Sequence, residues 1–481
     1  MRTVLLSLLC ACSLAHSHPL LNLNAEERTV YDNLESSEGA KYFTISIRPY
    51  GYGKAYRLVD FPERVRLYMN ALSPPGYFLK PVNSLTLRLF FTGEEAFVLE
   101  NSAGTLLEKG LSAHAFLDGY LSVGHNFVLY YQVRHVRSES GADTDLLRAY
   151  AKVRVRKFSF EFGKDTVHLG PGEMSLLLST NAEPFLMAKV QTEESLEFFG
   201  LWDFLFLRGW LKEEREDRSD PNILALRVVW KPHPILELGI ARTSLYGGEG
   251  RPGYKLSEYP KLILGIEENV PFGKYDTDGY GAWDVSLYLP LERWVGWIRS
   301  FKLYYQEAGT DILAWWQKED RGKFALPFGF TLLDKGYVIG ALLSLRRDII
   351  RLEFTKTSRF WYKHHLYPKE GYTYKGMSLG HPYGRNMWHV MFKHRHYFGD
   401  YLSAGYRVGF FRQPAFDSAT PMERMYIVLF GEKRLRSFIL EGFVRFDRVK
   451  NYDADPSPND FEITPEEKSF ITLGTSVSWR F

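Results

Sequence analysis

What most restricts this chain is a period of two, sustained over segments of about ten residues and repeated from near residue 80 to the end. In 147–155, Leu147, Ala149, Ala151, Val153 and Val155 fall on one face, and Arg148, Tyr150, Lys152 and Arg154 on the other. In 402–410, Leu402, Ala404, Tyr406, Val408 and Phe410 oppose Ser403, Gly405, Arg407 and Gly409. In 438–446, Phe438, Leu440, Gly442, Val444 and Phe446 oppose Ile439, Glu441, Phe443 and Arg445. A strand needs this alternation when one face meets lipid and the other a polar lumen. No stretch beyond the N-terminus approaches the ~18 consecutive apolar residues of a spanning helix. The expected fold is therefore all-β, a transmembrane antiparallel β-barrel.

The pattern predicts eighteen strands, near 84–91, 113–123, 127–136, 146–155, 157–163, 185–192, 196–208, 222–231, 235–246, 281–290, 300–308, 337–346, 349–357, 386–396, 401–411, 424–431, 437–447 and 469–481. Short links, such as Gly124 to Asn126, Pro232 to Pro234 and Arg347-Asp348, alternate with long ones at 92–112, 164–184, 247–280, 309–336, 358–385 and 448–468. Segregation of long links to one rim is the habit of outer-membrane barrels, and a soluble sandwich has no reason for it. At the C-terminus, Phe481, Trp479, Val477, Leu473 and Ile471 form an apolar row interrupted only by Thr475. It resembles the last strand of bacterial outer-membrane barrels, whose final aromatic residue marks the chain for the insertion machinery. An ordinary amphipathic strand would show a similar row, so the weight lies in its combination with the loop alternation.

Three regions follow. Residues 1–17 read as a signal peptide, with Arg2, an apolar run from Val4 to Ala15 and the small-x-small site Ala15-His16-Ser17. Cys10 and Cys12, the two cysteines of the chain, both lie in that run, so cleavage leaves no disulfide or thiol chemistry. A rival reading lipidates Cys12. Residues 18–80 read as a small mixed, partly helical periplasmic segment: Asn24 is placed to cap a helix from Ala25, and Pro62-Glu63 to open another that Pro74-Pro75 stops. Residues 81–481 form the barrel. An even strand count returns both ends of the barrel to the periplasmic rim.

Sixty basic and 57 acidic residues leave a net charge of +3, which lacks the clustered positive charge of a nucleic-acid binder. Gly248-Glu249-Gly250-Arg251-Pro252-Gly253 spells a dinucleotide fingerprint, yet no helical apolar pattern follows to receive phosphates, and it reads as a surface loop. His394 and His396 share a strand face but lack a matching ligand cluster, and read as polar residues of the lumen. The pairs Glu193-Glu194, Glu213-Glu214 and Glu267-Glu268 are adjacent, so on a strand they diverge and on a loop they are solvated. No G-x-S-x-G elbow occurs. No catalytic residue, metal site or cofactor is expected, and the chain does not read as an enzyme.

The link 358–385 carries the binding chemistry. It holds Phe360, Trp361, Tyr362, Tyr367, Tyr372, Tyr374 and Tyr383, together with Arg359, Lys363, Lys369, Lys375 and Arg385, and His364, His365 and His381, against the single carboxylate Glu370. Aromatic faces stack on sugar rings, and cations pair with uronates or other acidic substituents. An anionic polysaccharide is the expected partner, bound by Trp361, Tyr362, Lys363, His364, His365, Tyr372, Tyr374, Lys375 and Arg385. The competing assignment for each ring is an interface girdle or the packing of a plug.

Several motifs resemble those of the Wzi-type capsule-assembly proteins, outer-membrane lectins that hold capsular polysaccharide. They are Leu169-Gly170-Pro171-Gly172 running on through Ser179, Asn181, Ala182, Pro184 and Phe185; Leu236-Glu237-Leu238-Gly239 with Ala241-Arg242, Gly247-Gly248 and Gly250-Arg251-Pro252; and His364-His365, Tyr367, Gly371-Tyr372, Gly376 and Leu379-Gly380. Arg48-Pro49 before a possible helix is similar to the family's periplasmic prelude. The resemblance covers roughly 147–396. It implies an eighteen-stranded barrel in the outer membrane, in contact with lipid, that binds polysaccharide without cleaving it. A sugar-selective porin or polysaccharide export channel is the alternative, with the same residues lining a conducting path.

Overall fold

The structure, a computed structural model, describes residues 20–22, 28–51, 54, 76–266, 268, 270, 273–310, 312–314, 330–332, 334–414, 421–435, 437–452 and 465–481. The expected signal peptide, the cap at Asn24 and the helix after Pro62 lie outside them. The wall of the barrel is built, among the described residues, from eighteen antiparallel strands in sequence order. They are β1 (Tyr77–Val98), β2 (Leu106–Val123), β3 (Phe127–Ser138), β4 (Gly141–Val155), β5 (Phe158–Asp165), β6 (Phe185–Thr192), β7 (Leu201–Trp210), β8 (Pro221–His233) and β9 (Leu236–Gly247). They continue as β10 (Asp278–Leu289), β11 (Ile298–Gly309), β12 (Gly336–Leu345), β13 (Asp348–Thr357), β14 (Trp388–Tyr397), β15 (Leu402–Gln413), β16 (Met422–Leu435), β17 (Phe438–Lys450) and β18 (Glu467–Arg480). β18 pairs with β1 from Ser84 opposite Arg480 to Thr92 opposite Thr472, which closes the ring.

Each predicted strand is present, and the differences are local. The long link expected at 92–112 shrinks to 99–105, because β1 and β2 run on past the lipid layer as a paired ribbon. The strand expected from 196 starts at Leu201, since Phe198 to Gly200 makes a turn with positive φ at Phe199 and Gly200. Leu147 does not share the lipid face with Ala149. A bulge against Gln132 and Val133 shifts the register, so that Leu147 is buried and Leu146 faces outward. The link after β9 also contains a helix that the sequence reading omitted, α2 (Tyr259–Leu264), with Pro260 in its first turn and Gly265 left-handed at its end. In the C-terminal row, Ile471, Leu473, Val477 and Trp479 all face outward. Trp479 stacks on Phe438 with centroids 5.6 Å apart, and the Phe481 amide donates to the Asn83 carbonyl.

Among the described residues the lumen is entered from both mouths and largely occupied, leaving a charged cavity beside Arg88, Glu100, Arg395, Arg407, Glu441 and Arg445. From the short-turn rim the N-terminal segment enters the ring with helix α1 (Arg28–Glu35) and a 3-10 turn at Glu38–Tyr42. This segment therefore does more than precede the barrel: Lys231 donates to the Ala40 and Phe43 carbonyls, Lys152 donates to Asn22 Oδ1, and Lys393 pairs with Asp32 at 2.7 Å. From the long-loop rim, the link 166–184 descends and buries Leu169, Leu176, Leu177 and Leu178. The two insertions meet at mid-barrel, where Ile47 and Arg48 pair with Leu169 and His168 as a two-residue antiparallel ladder.

Wall cations meet acids carried by the insertions. Arg351 faces Glu35, Arg407 faces Glu173, and Arg445 faces Glu100. A buried charge is tolerated only when paired in this way.

Candidate polysaccharide-binding surface

The link between β13 and β14 turns back into the ring before it reaches solvent. Trp361, Tyr362 and Tyr372 pack around Tyr280 of β10, with centroids 5.3, 5.7 and 4.6 Å from it. Three tyrosine hydroxyls of the link are satisfied by the barrel and by the neighbouring link, whereas the Trp361 indole N–H is buried without a hydrogen-bond partner among the described residues. Tyr362 donates to the Leu176 carbonyl at 2.6 Å, Tyr372 to Thr243 at 2.9 Å and Tyr367 to the Gly247 carbonyl at 3.0 Å. Buried tyrosine hydroxyls usually find such partners. Tyr374 is buried edge-on against Phe185. Arg385 is also buried and donates to the Arg359 carbonyl.

Two glycines let the links approach this closely. A Cβ on Gly380 would stand 1.9 Å from the Tyr362 hydroxyl. A Cβ on Gly172 would stand 2.6 Å from Glu353 Oε2, which accepts the Glu173 amide at 2.8 Å.

What remains on the outside is cationic and imidazole chemistry. The Lys363 side chain is exposed and makes no hydrogen bond or ion pair among the described residues. Lys375 occupies the tip of a hairpin between Thr373–Tyr374 and Met377–Ser378. Lys375 and Gly376 both have positive φ, the backbone of a type I′ turn. Its ammonium reaches Glu183 at 2.9 Å, yet its side chain stays 45% exposed. Burial pushes the Glu183 carboxyl up, and Lys164 and Lys375 outweigh it and hold the group below its usual range. His365 is 43% exposed and its Nε2 lies 2.8 Å from Asp276 Oδ2. Burial, with His365 alongside, lowers the His364 imidazole to about 4.

Of the nine residues expected to bind, the structure thus leaves Lys363, His365 and Lys375 open to solvent and His364 partly so. Trp361, Tyr362, Tyr372, Tyr374 and Arg385 lie in the packing of the link. The rings of Trp361, Tyr362, Tyr372 and Tyr374 have no free face for a sugar.

Sequence reasoning missed the strap between β7 and β8. Arg215 donates to the Gly371 and Thr373 carbonyls and lies over the Tyr367 ring, while Lys369 pairs with Glu216. Burial raises Glu213 in this strap to about 6, against the opposing pull of Arg215. The only hint in the sequence was the dense alternation of charge in 212–218. His394 and His396 are not lumen residues: they face outward near the short-turn rim and share Asp348 Oδ1 at 2.8 and 2.7 Å, while Lys393 and Arg395 between and beside them point inward.

The family model for capsule assembly protein Wzi matches residues 91–415, more than half of the sequence. This chain belongs to the Wzi capsule-assembly family. The barrel fold and the family together place it in the outer membrane. Among solved structures, it is similar to Escherichia coli Wzi, described as an outer-membrane protein involved in group 1 capsule assembly and a carbohydrate-binding β-barrel. The two share 16% identity with a TM-score of 0.68, over 97% of this chain and 100% of that one. Pseudomonas aeruginosa OpdO is also similar, at 12% identity and a TM-score of 0.50, over 84% of this chain and 97% of the other. No curated protein sequence matches significantly. At these identities the structural likeness concerns the fold. Within the Wzi motifs, Gly172 and Gly380 are the close-approach positions just described, so those short words encode how two links seat in the lumen.

Proposed function

We propose that the protein is an outer-membrane lectin that binds an anionic surface polysaccharide and assists its assembly or retention, without cleaving it. The observation that carries this reading is the filling of the lumen by the chain's own N-terminal segment and links, which leaves the long-loop face as the meeting place for a large glycan. The contact surface on that face is Lys363, His365 and Lys375, with His364 at its edge. Trp361, Tyr362, Tyr372, Tyr374 and Arg385 act beneath it by fixing the course of the link. Exposed cations suit uronate or other acidic substituents. Such attraction weakens as salt screens it beyond a Debye length of ~8–10 Å.

The test is binding of the native surface glycan by purified, folded barrel over a range of salt. Replacing Lys363 and Lys375 together with glutamine should weaken binding at low salt and flatten its salt dependence. Wild-type binding by the folded double variant would overturn this surface. Deleting the gene should release glycan from cells into the medium, and unchanged retention would overturn the role. The porin alternative predicts steady conductance of the unmodified protein in planar bilayers, which a filled lumen should not give.

A further inference from the structure

We propose that Asp276, His364 and His365 form a binding site for a zinc(II)-type divalent metal ion, which joins the link after β9 to the link after β13. Among the described residues they are one group of three such side chains whose ligand atoms all lie within 4.8 Å of one another. Asp276 Oδ2 stands 2.8 Å from His365 Nε2, and Oδ1 stands 3.7 Å from His364 Nε2. A tetrahedral ion with ligand bonds of about 2.0–2.1 Å separates neighbouring ligand atoms by about 3.4 Å. The two contacts fall on different carboxylate oxygens, and one ligand atom from each residue lies within 4.8 Å of the others, so rotation of the carboxylate and the rings brings all three onto one ion.

The chain reaches this arrangement against its local tendency. Adjacent residues on a strand diverge. Here the turn closed by the Tyr367 amide on the His364 carbonyl at 3.0 Å brings both imidazoles to one carboxylate, with ring centroids 4.1 Å apart. The carboxylate is itself anchored: Asp276 is 1% exposed, its amide donates to the Gly273 carbonyl, and its carbonyl accepts from Arg251. Two imidazoles and one carboxylate favour zinc, cobalt, nickel or copper over calcium and magnesium, which seek oxygen ligands. Ligation through His364 Nε2 places the ring proton on Nδ1. That atom accepts the Leu366 amide at 3.3 Å in the present structure, so loading requires this long contact to open.

The test uses the full chain, folded in detergent, treated with chelator and titrated calorimetrically with zinc chloride alone. One site per chain is expected. Asp276→Asn and His365→Ala should each weaken it by at least about tenfold, within the range for disturbed metal sites. Cu2+ bound to the wild type should show nitrogen coupling in its paramagnetic resonance spectrum, and His365→Ala should reduce that coupling. His396→Ala, which alters the other histidine pair, should bind zinc like wild type. His365 lies on the surface of the link, so its replacement leaves the barrel wall untouched, and heat-modifiable migration on gels confirms folding. The proposal is overturned if the wild type shows no stoichiometric zinc binding. It is equally overturned if both variants bind as wild type, or if His396→Ala abolishes the site instead.

Discussion

Glu35, from the helix that precedes the barrel, lies 2.9 Å from Arg351 of the wall strand β13, and both side chains are buried inside the ring. Arg48 of the same N-terminal segment also pairs with Glu35. Without Glu35, Arg351 keeps Asp32 and Glu173, each at 3.6 Å, whereas Arg48 loses its carboxylate partner; a buried charge left unpaired costs about 3–5 kcal/mol. Glu35→Ala should therefore loosen the N-terminal segment. Planar-bilayer recordings should show larger or more frequent openings than wild type, and identical traces would show that this pair does not hold the plug.

Trp361 is fully buried beside Tyr280, so its loss removes one of the largest rings under the link. Trp361→Ala should cost about 3–5 kcal/mol by cavity formation. The effect should appear as faster proteolysis between 358 and 385 while the barrel still migrates as folded. Any fall in glycan binding should leave the salt dependence unchanged, since no charge has been removed. A loss of salt dependence in this variant would place the ring at the binding surface after all.

Glu213 gives the strap after β7 a pH response with a definite sign. Its carboxyl titrates at about 6 in the folded protein, against a usual value of 4.5. Between those values the folded chain holds a proton that the unfolded chain has lost. The contribution to stability is greatest below the window and falls as pH rises through about 6. Hydrogen exchange at the Gly371 and Thr373 region should accelerate from pH 5 to pH 7 after correction for intrinsic rates. Glu213→Gln should flatten that trend, and an unchanged slope would remove Glu213 as its cause.

The last residue takes part in the closure of the ring, through its amide on Asn83 and its ring 4.2 Å from Trp479. Replacing Phe481 with aspartate places a charge at the end of the lipid-facing row. Assembled, heat-modifiable protein in the outer membrane should drop several-fold. Wild-type amounts would separate this row from insertion.

The wall was legible because lipid on one side and polar lumen on the other impose a period of two on each strand. That rule needs no knowledge of partners, and it fails only where a bulge inserts a residue, as at Leu147. The lumen filling was not legible. Trp361 and Tyr372 have the same composition in a ring stack beneath a link as on an exposed sugar platform, and contacts with distant residues such as Tyr280, far upstream of Trp361 in the chain, distinguish the two. Lys363 and Lys375 were recognisable as cations, whereas the pairing of Lys375 with Glu183 depends on a contact between separate links. Asp276 carried no mark in the sequence, because it acquires meaning only when the histidine pair folds over it.

The seam between β1 and β18 has a bearing on how the molecule is made. A closed ring admits nothing from the side, and helix α1 is bonded to strands β13 and β14, away from the seam. The helix must be enclosed before the first and last strands join, or else climb through the short-turn mouth afterwards. These two routes differ in timing. In the first, the earliest part of the chain waits, undocked, for the final strand; in the second, an empty barrel exists for a time as a separate species. The Glu35 pairing is thus a clock as well as a bond, since its formation marks when the cylinder ceases to be hollow.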